Sequence, residues 1–255
     1  ALAVVHRLPC RISPGEFLAD IRPIMTIAGP AVLTNLATPL GNGFVLRTMA
    51  QFGDSAVAGA AIMGRITPVA FAAIFALSSA VGPIIGQNAG AGLYGRVRST
   101  LVSAVAFNAL YVLVVWLILG ASAELIVDTF SASAEAAELI LFYSYFLAGA
   151  FTLNGCLFIA NASFNNLRHA HWATLFNFGR AFLGTIPAVY FGAQWYGPKG
   201  VMAGEAFGAM VFGVAALVGA FVLVNRLERR HQPVAVSPLS SPVVAGLETG
   251  REPPV

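Results

Sequence analysis

Charge is what this sequence has least of. Of its 255 residues 10% are charged and 58% apolar, whereas soluble domains carry roughly 25% charged and 45–50% apolar residues. That is too little charge to coat a soluble fold of this length, so lipid is the expected solvent. Lysine is almost missing: thirteen of the fourteen basic residues are arginine, and Lys199 stands alone. Cysteine is scarce as well. Cys10 and Cys156 lie far apart with no C-x-x-C spacing, which leaves no disulfide framework and no cysteine metal site. Cys156 reads as a small apolar filler within a span. The chain opens "ALAVVHRLPC", without an initiator Met and without an apolar core long enough for a signal peptide. A processed product or a part of a longer chain is the expectation.

Long apolar runs are abundant. A bilayer span takes about 20 mostly apolar residues, and six segments qualify, over about 21–49, 55–85, 97–119, 136–164, 173–195 and 200–224. The predicted organisation is an arm over 1–20, an all-α six-helix membrane bundle over 21–227, and a tail over 228–255. The tail is rich in Pro, Ser and Gly and reads as disordered. Basic residues alternate with the connections. Arg7, Arg11 and Arg22 lie in the N-terminal arm and at the very start of the first span, Arg96 and Arg98 follow the second, Arg168 follows the fourth, and Arg226, Arg229 and Arg230 follow the sixth. The intervening connections hold Asp54, then Glu124, Asp128, Glu135 and Glu138, then Lys199 alone. By the positive-inside rule this predicts six spans with both termini cytoplasmic.

"GAGLYG", Gly90 to Gly95, matches the G-x-G-x-x-G dinucleotide fingerprint. That fingerprint works between a buried strand and a helix, with an acid about 20 residues on for the ribose. Here a membrane-length apolar segment precedes it, and the next acid, Glu124, lies beyond a whole further span. A cytoplasmic turn is the reading that fits, with Gly residues accepting positive φ. Gln87, Asn88 and Gly90 are assigned to this structural turn.

Polar groups at membrane depth are functional candidates. Arg65 and Arg180 each sit well inside an apolar segment, and Glu205, within the sixth span, is the best-placed partner. Stitching helices together is the preferred role for the two arginines, with direct contact to cargo as the other. Asn35 lies between Pro30 and Pro39, which should bend the first helix and free carbonyls one turn earlier. There Asn35 either lines a cavity or bonds to a neighbouring helix. Asn154, Asn161 and Asn165 are spaced to share a helical face, which either lines a cavity or bonds across the helix interface. His169 and His171 read as a solvated pair. Gly204 and Gly208 form G-x-x-x-G, a spacing that permits close helix approach.

With its neighbours, the glycine stretch is more specific than a turn. "PIIGQNAGAGLYGRVRSTL" resembles the end of the second helix of each half in MATE (multidrug and toxic compound extrusion) transporters. "IAGPAVLTNLATPLGN" is similar to their first helix, and "FGDSAVAGAAIMGRITPVAF" to the loop and second helix. "FIANASFNNLRHAHWATLFNFGRAFLGTIPAVYFGA" resembles the join of the fourth and fifth. The matches run in family order over about 20–225. The resemblance implies one six-helix lobe of a twelve-helix, pseudo-two-fold transporter, best matched by the carboxy-terminal lobe. Arginines near Arg65 and Arg180 resemble a general feature of that family.

The same resemblance implies a secondary antiporter, with no cofactor, that exports amphipathic or cationic compounds in exchange for H⁺ or Na⁺. In one branch the coupling acids lie on the first and fourth helices of the carboxy-terminal lobe; here the stretches 21–49 and 139–164 contain no acid. The pattern resembles instead the DNA-damage-inducible F-like branch, whose coupling carboxylate lies on the other lobe. The implied setting is a bacterial-type inner membrane, with the lipid bilayer, an amino-terminal lobe and small amphipathic molecules as partners and no nucleic acid. The alternatives are a lipid-linked sugar flippase of the same superfamily, a non-transporting half, and a membrane oxidoreductase that uses "GAGLYG" and would need a bound flavin or nicotinamide.

Overall fold

The computed structural model describes Ile21, Met25, Leu36 and residues 38–231. Every regular element among them is helical. Helix α1 occupies 38–49, followed by α2 (Asp54–Ala70), α3 (Ala72–Gly90), α4 (Tyr94–Ala121) and the short α5 (Ala123–Thr129). Next comes α6 (Ala134–Asn166), then a helical stretch from Ala170 to Arg230. At about 1.5 Å per residue, those 61 residues are far too long for one crossing of a hydrocarbon core of about 30 Å. The stretch turns at Gly197, where φ is 59° and ψ −142°. That left-handed geometry suits glycine, and Pro198 follows with no N–H to continue the ladder. Two helices result, α7 over 170–196 and α8 over 198–231.

From the second span onward the helices follow the predicted order, with three differences; the predicted arm over 1–20, much of the first span and nearly all of the tail lie outside the described residues. The second span is two helices, broken at Phe71 (φ −103°, ψ 20°) three residues after Pro68. Pro68 has no N–H for the carbonyl of Gly64, and the ladder fails just beyond it. The connection after the third span contains α5, with Glu124 in its first turn, where an acid complements the helix dipole. At the other end α8 continues to His231, past the predicted boundary at 227.

Large apolar side chains are exposed on the outside: Leu110 is 64% accessible, Leu117 64%, Phe146 68% and Leu183 75%. In lipid such exposure costs nothing, and helices gain little by hiding apolar surface from tails that are equally apolar. Close fit therefore holds the bundle together. Gly204 of α8 lies against the Ala188 carbonyl of α7; a Cβ added there would sit 2.5 Å from that oxygen. Gly208 lies against Gly184 and Thr185, and Gly200 against Gly192. The G-x-x-x-G spacing thus continues as a three-step ladder along the α7–α8 seam. Asn108, fully buried on α4, donates to the Thr152 carbonyl of α6 at 2.8 Å, and Gly155 gives it room. Cys156 packs buried beside it, its sulfur 3.8 Å from the Asn108 amide nitrogen.

One end of the bundle is a core of Val97, Leu101, Leu157, Phe164 and Val224, and the other packs Met49, Met63, Ile140, Val189 and Val201. At this second end Lys199 is paired with Glu138 at 2.5 Å, which fastens the α7–α8 turn to the start of α6. Both partners are accessible, so the pair contributes little to stability.

Candidate functional site: a polar cavity between two π-helical segments

Helices α6 and α7 both depart from regular geometry as they pass the middle of the bundle. Tyr143–Leu147 in α6 and Gly179–Thr185 in α7 are wound as π-helix. Such widened turns misalign the backbone ladder and occur often at functional sites. Here both border one cavity of about 280 Å³. Its walls come from α1 (Asn42, Val45, Met49), α2 (Met63, Gly64, Thr67, Pro68), α6 (Tyr143, Leu147, Asn154), α7 (Arg180) and α8 (Met202, Glu205, Ala206). Because Pro68 lacks an N–H, the Gly64 carbonyl has no regular helical donor, and both Gly64 and Pro68 line the cavity.

The polar groups inside are incompletely bonded. Thr67 donates to the Met63 carbonyl at 2.7 Å, which commits its one proton. Its oxygen, 2.9 Å from the Tyr143 hydroxyl, therefore accepts from Tyr143. Arg180 reaches Thr38 Oγ1 with one terminal nitrogen at 3.4 Å, a long contact, and its Nε has no partner among the described residues. Glu205 borders the same space and also the narrow cleft beside it, shared with Thr38, Gly41 and Arg180. The two charges face one compartment without closing a direct ion pair, since Lys199–Glu138 is the ion pair found among the described residues. The Oδ1 of Asn154, on the cavity wall, is buried without a partner among the described residues. Leaving a buried polar atom unpaired costs about 1–3 kcal/mol, so a ligand or water that satisfies these groups gains by doing so.

The structure brings three of the predicted site residues, Asn154, Arg180 and Glu205, onto one cavity. Asn35 lies outside the described residues. Arg65 is exposed on α2, off the cavity wall, with no hydrogen bond or ion pair to any described residue. That departs from the expected internal partner for Arg65. Asn161 also lies off the cavity wall, its Oδ1 buried with no partner among the described residues, and Asn165 is exposed rather than inward-facing. Gln87, Asn88 and Gly90 end α3 before the turn at Gly92 (φ 73°), where Asn88 Nδ2 donates to the Ile84 carbonyl at 2.8 Å. "GAGLYG" accordingly joins two helices rather than a strand to a helix. Sequence reasoning missed Thr67, Pro68 and Tyr143. Of these only Pro68 carried a visible signal, since Thr67 and Tyr143 are 76 residues apart and meet only through the fold.

Against known proteins, residues 30–191 match the family described as MatE. An uncharacterized 21 kDa protein from the iaaL 5′ region of Pseudomonas savastanoi is 34% identical over 217 residues, covering 84% of this chain and 72% of the relative. A FAD transporter of Shewanella oneidensis is 28% identical over 189 residues, covering 74% of this chain and 42% of the relative. Among solved structures, the Vibrio cholerae MATE transporter VcmN in its bent form superposes with a TM-score of 0.76 at 23% identity, covering 82% of this chain and 48% of that one. An inward-facing multidrug resistance MATE family transporter of the MOP superfamily gives 0.75 at 18% identity, covering 87% and 51%. The chain thus spans about half the length of the solved transporters that share its fold. With the family match extending over most of its helices, this all-helical membrane chain belongs to the MatE family of transporters.

Proposed function

We propose that the chain is one lobe of a secondary active transporter that exports amphipathic or cationic compounds in exchange for H⁺ or Na⁺. One observation carries the reading: a cavity of about 280 Å³ within a membrane bundle, with an apolar wall, a carboxylate, a guanidinium and an amide oxygen that has no partner among the described residues. Pathways through membranes are built from such groups, and secondary transporters place them between repeated halves. In this reading a second six-helix lobe, covalent or on another chain, faces the cavity and carries the coupling carboxylate. This chain acts as the carboxy-terminal lobe of the DNA-damage-inducible F-like branch. The protein resides in a bacterial-type inner membrane with both termini cytoplasmic, as the alternating arginines favour.

A second reading, export of anionic aromatic compounds, is favoured by the unpartnered Arg180 Nε and by the relative named as a FAD transporter. One experiment tests both. Inside-out vesicles that contain the protein are given an H⁺ or a Na⁺ gradient, and uptake of ethidium and of FAD is followed. Ethidium uptake that collapses with the gradient supports the first reading, and gradient-dependent FAD uptake supports the second. Equal uptake of both compounds with and without the protein would overturn the two together.

A further inference from the structure

The face of α1 opposite the central cavity borders a second pocket, of about 410 Å³, against α7. Asn42, Val45 and Met49 look into the first; Phe44, Arg47, Thr48 and Gln51 look into the second. From α7 come Tyr190, Ala193 and Gln194, and Phe52 closes the end. The two helices run side by side in the same direction, because Gly41 sits against Ala181 and Gln51 shares the pocket with Gln194. Among the described residues the lining holds one cation and no acid. Thr48 is bonded to the Phe44 carbonyl, but Arg47, Gln51, Tyr190 and Gln194 have no hydrogen bond or ion pair with any described residue.

We infer that this pocket binds the phosphodiester head group of a membrane lipid, with Arg47 as its anion-binding group. A guanidinium matches phosphate oxygens bidentately, and the two glutamine amides and the phenol add neutral donors beside it. Depth fits as well. The neighbouring Trp195 and Tyr196 are 72% and 74% accessible at the end of α7, as aromatic side chains are at the level of the head groups. The apolar part of the ligand has a path too. One α1 face continues inward from Gln51 and Arg47 to Phe44 and Leu40, and one α7 face from Gln194 and Tyr190 to Leu183. Leu40 is 58% accessible and Leu183 75%, so the groove grades from donors at its rim to bare hydrocarbon below. A soluble phosphate compound matches the rim alone; a phospholipid matches both parts.

The test is thermal unfolding of the purified full chain in detergent, followed by tryptophan fluorescence, with added phosphatidylglycerol, diacylglycerol of the same acyl chains, or inorganic phosphate. Phosphatidylglycerol should raise the melting temperature in a saturable way, and diacylglycerol should not. Arg47→Ala should weaken the apparent affinity about tenfold or more, the loss expected for one charge-assisted hydrogen-bonded contact, and Arg47→Lys should restore part of it. If Arg47→Ala does not fold, Gln194→Leu should still weaken binding by a smaller factor. An equal rise with diacylglycerol, or one indifferent to Arg47 and Gln194, would overturn the site. A rise with inorganic phosphate as large as with the lipid would overturn the lipid occupant and assign the rim to soluble phosphates.

Discussion

Arg180 and Glu205 are the pair on which selectivity should turn. They share one cavity without neutralising each other by contact, so each remains available to a charged cargo. At an effective dielectric of about 20, two unit charges about 4 Å apart interact by roughly 4 kcal/mol. Removing one charge should therefore reverse preference rather than abolish transport. Glu205→Gln is expected to reduce flux of a cationic substrate roughly tenfold and to leave or improve that of an anionic one, with Arg180→Gln doing the opposite. Transport assays at matched membrane abundance check this, and two variants that lose both substrates equally would contradict it. These two residues were legible in the sequence because a charge inside an apolar run is conspicuous. Tyr143 was not, since nothing local separates it from the other aromatic residues of its span, and its meaning comes from Thr67 on a different helix. Arg65 illustrates the converse. It is as deep in its run as Arg180, yet the rotation of α2 turns it outward, and rotation is set by packing that no single run of sequence reveals.

Helix packing delivers those residues to their places. Gly204 and Gly208 draw α8 against α7, and this contact holds Glu205 opposite the π-helical turn that carries Arg180. A leucine at 204 would have its Cβ 2.5 Å from the Ala188 carbonyl, so backbone must move to admit it. Gly204→Leu should destabilise the bundle by about 1–3 kcal/mol, as overpacked cores do. The measure is a lower melting temperature in detergent and reduced membrane abundance. An unchanged melting temperature would mean that this seam does not hold the helices. The glycine spacing made the contact readable in advance, and the proline at 68 made a break in the second span physically reasonable, although the sequence pattern ran through it. The π-helical turns had no such marker. They answer to the fit of α6 and α7 against their neighbours, a property of the assembled bundle.

For the molecule as a whole, hydropathy and the alternation of arginines describe six membrane crossings, and the helices from α2 onward follow that order with Gly197 dividing the last pair. What the pattern left undescribed is the space inside. A cavity is defined by residues that fail to touch, and its walls draw on five helices separated by more than 150 positions. In the proposed function this cavity is the route taken by cargo. The direct test is substrate protection of a single thiol in a Cys10→Ser background, where the remaining Cys156 is buried. Ala206→Cys places the thiol on the cavity wall, and Val69→Cys places it on the outer surface of α2, where Val69 is 77% accessible. Modification of the 206 thiol by a maleimide should slow several-fold in the presence of a transported compound, with the 69 thiol unaffected. Equal protection at both positions, or at neither, would contradict the assignment of the cavity as the transport path.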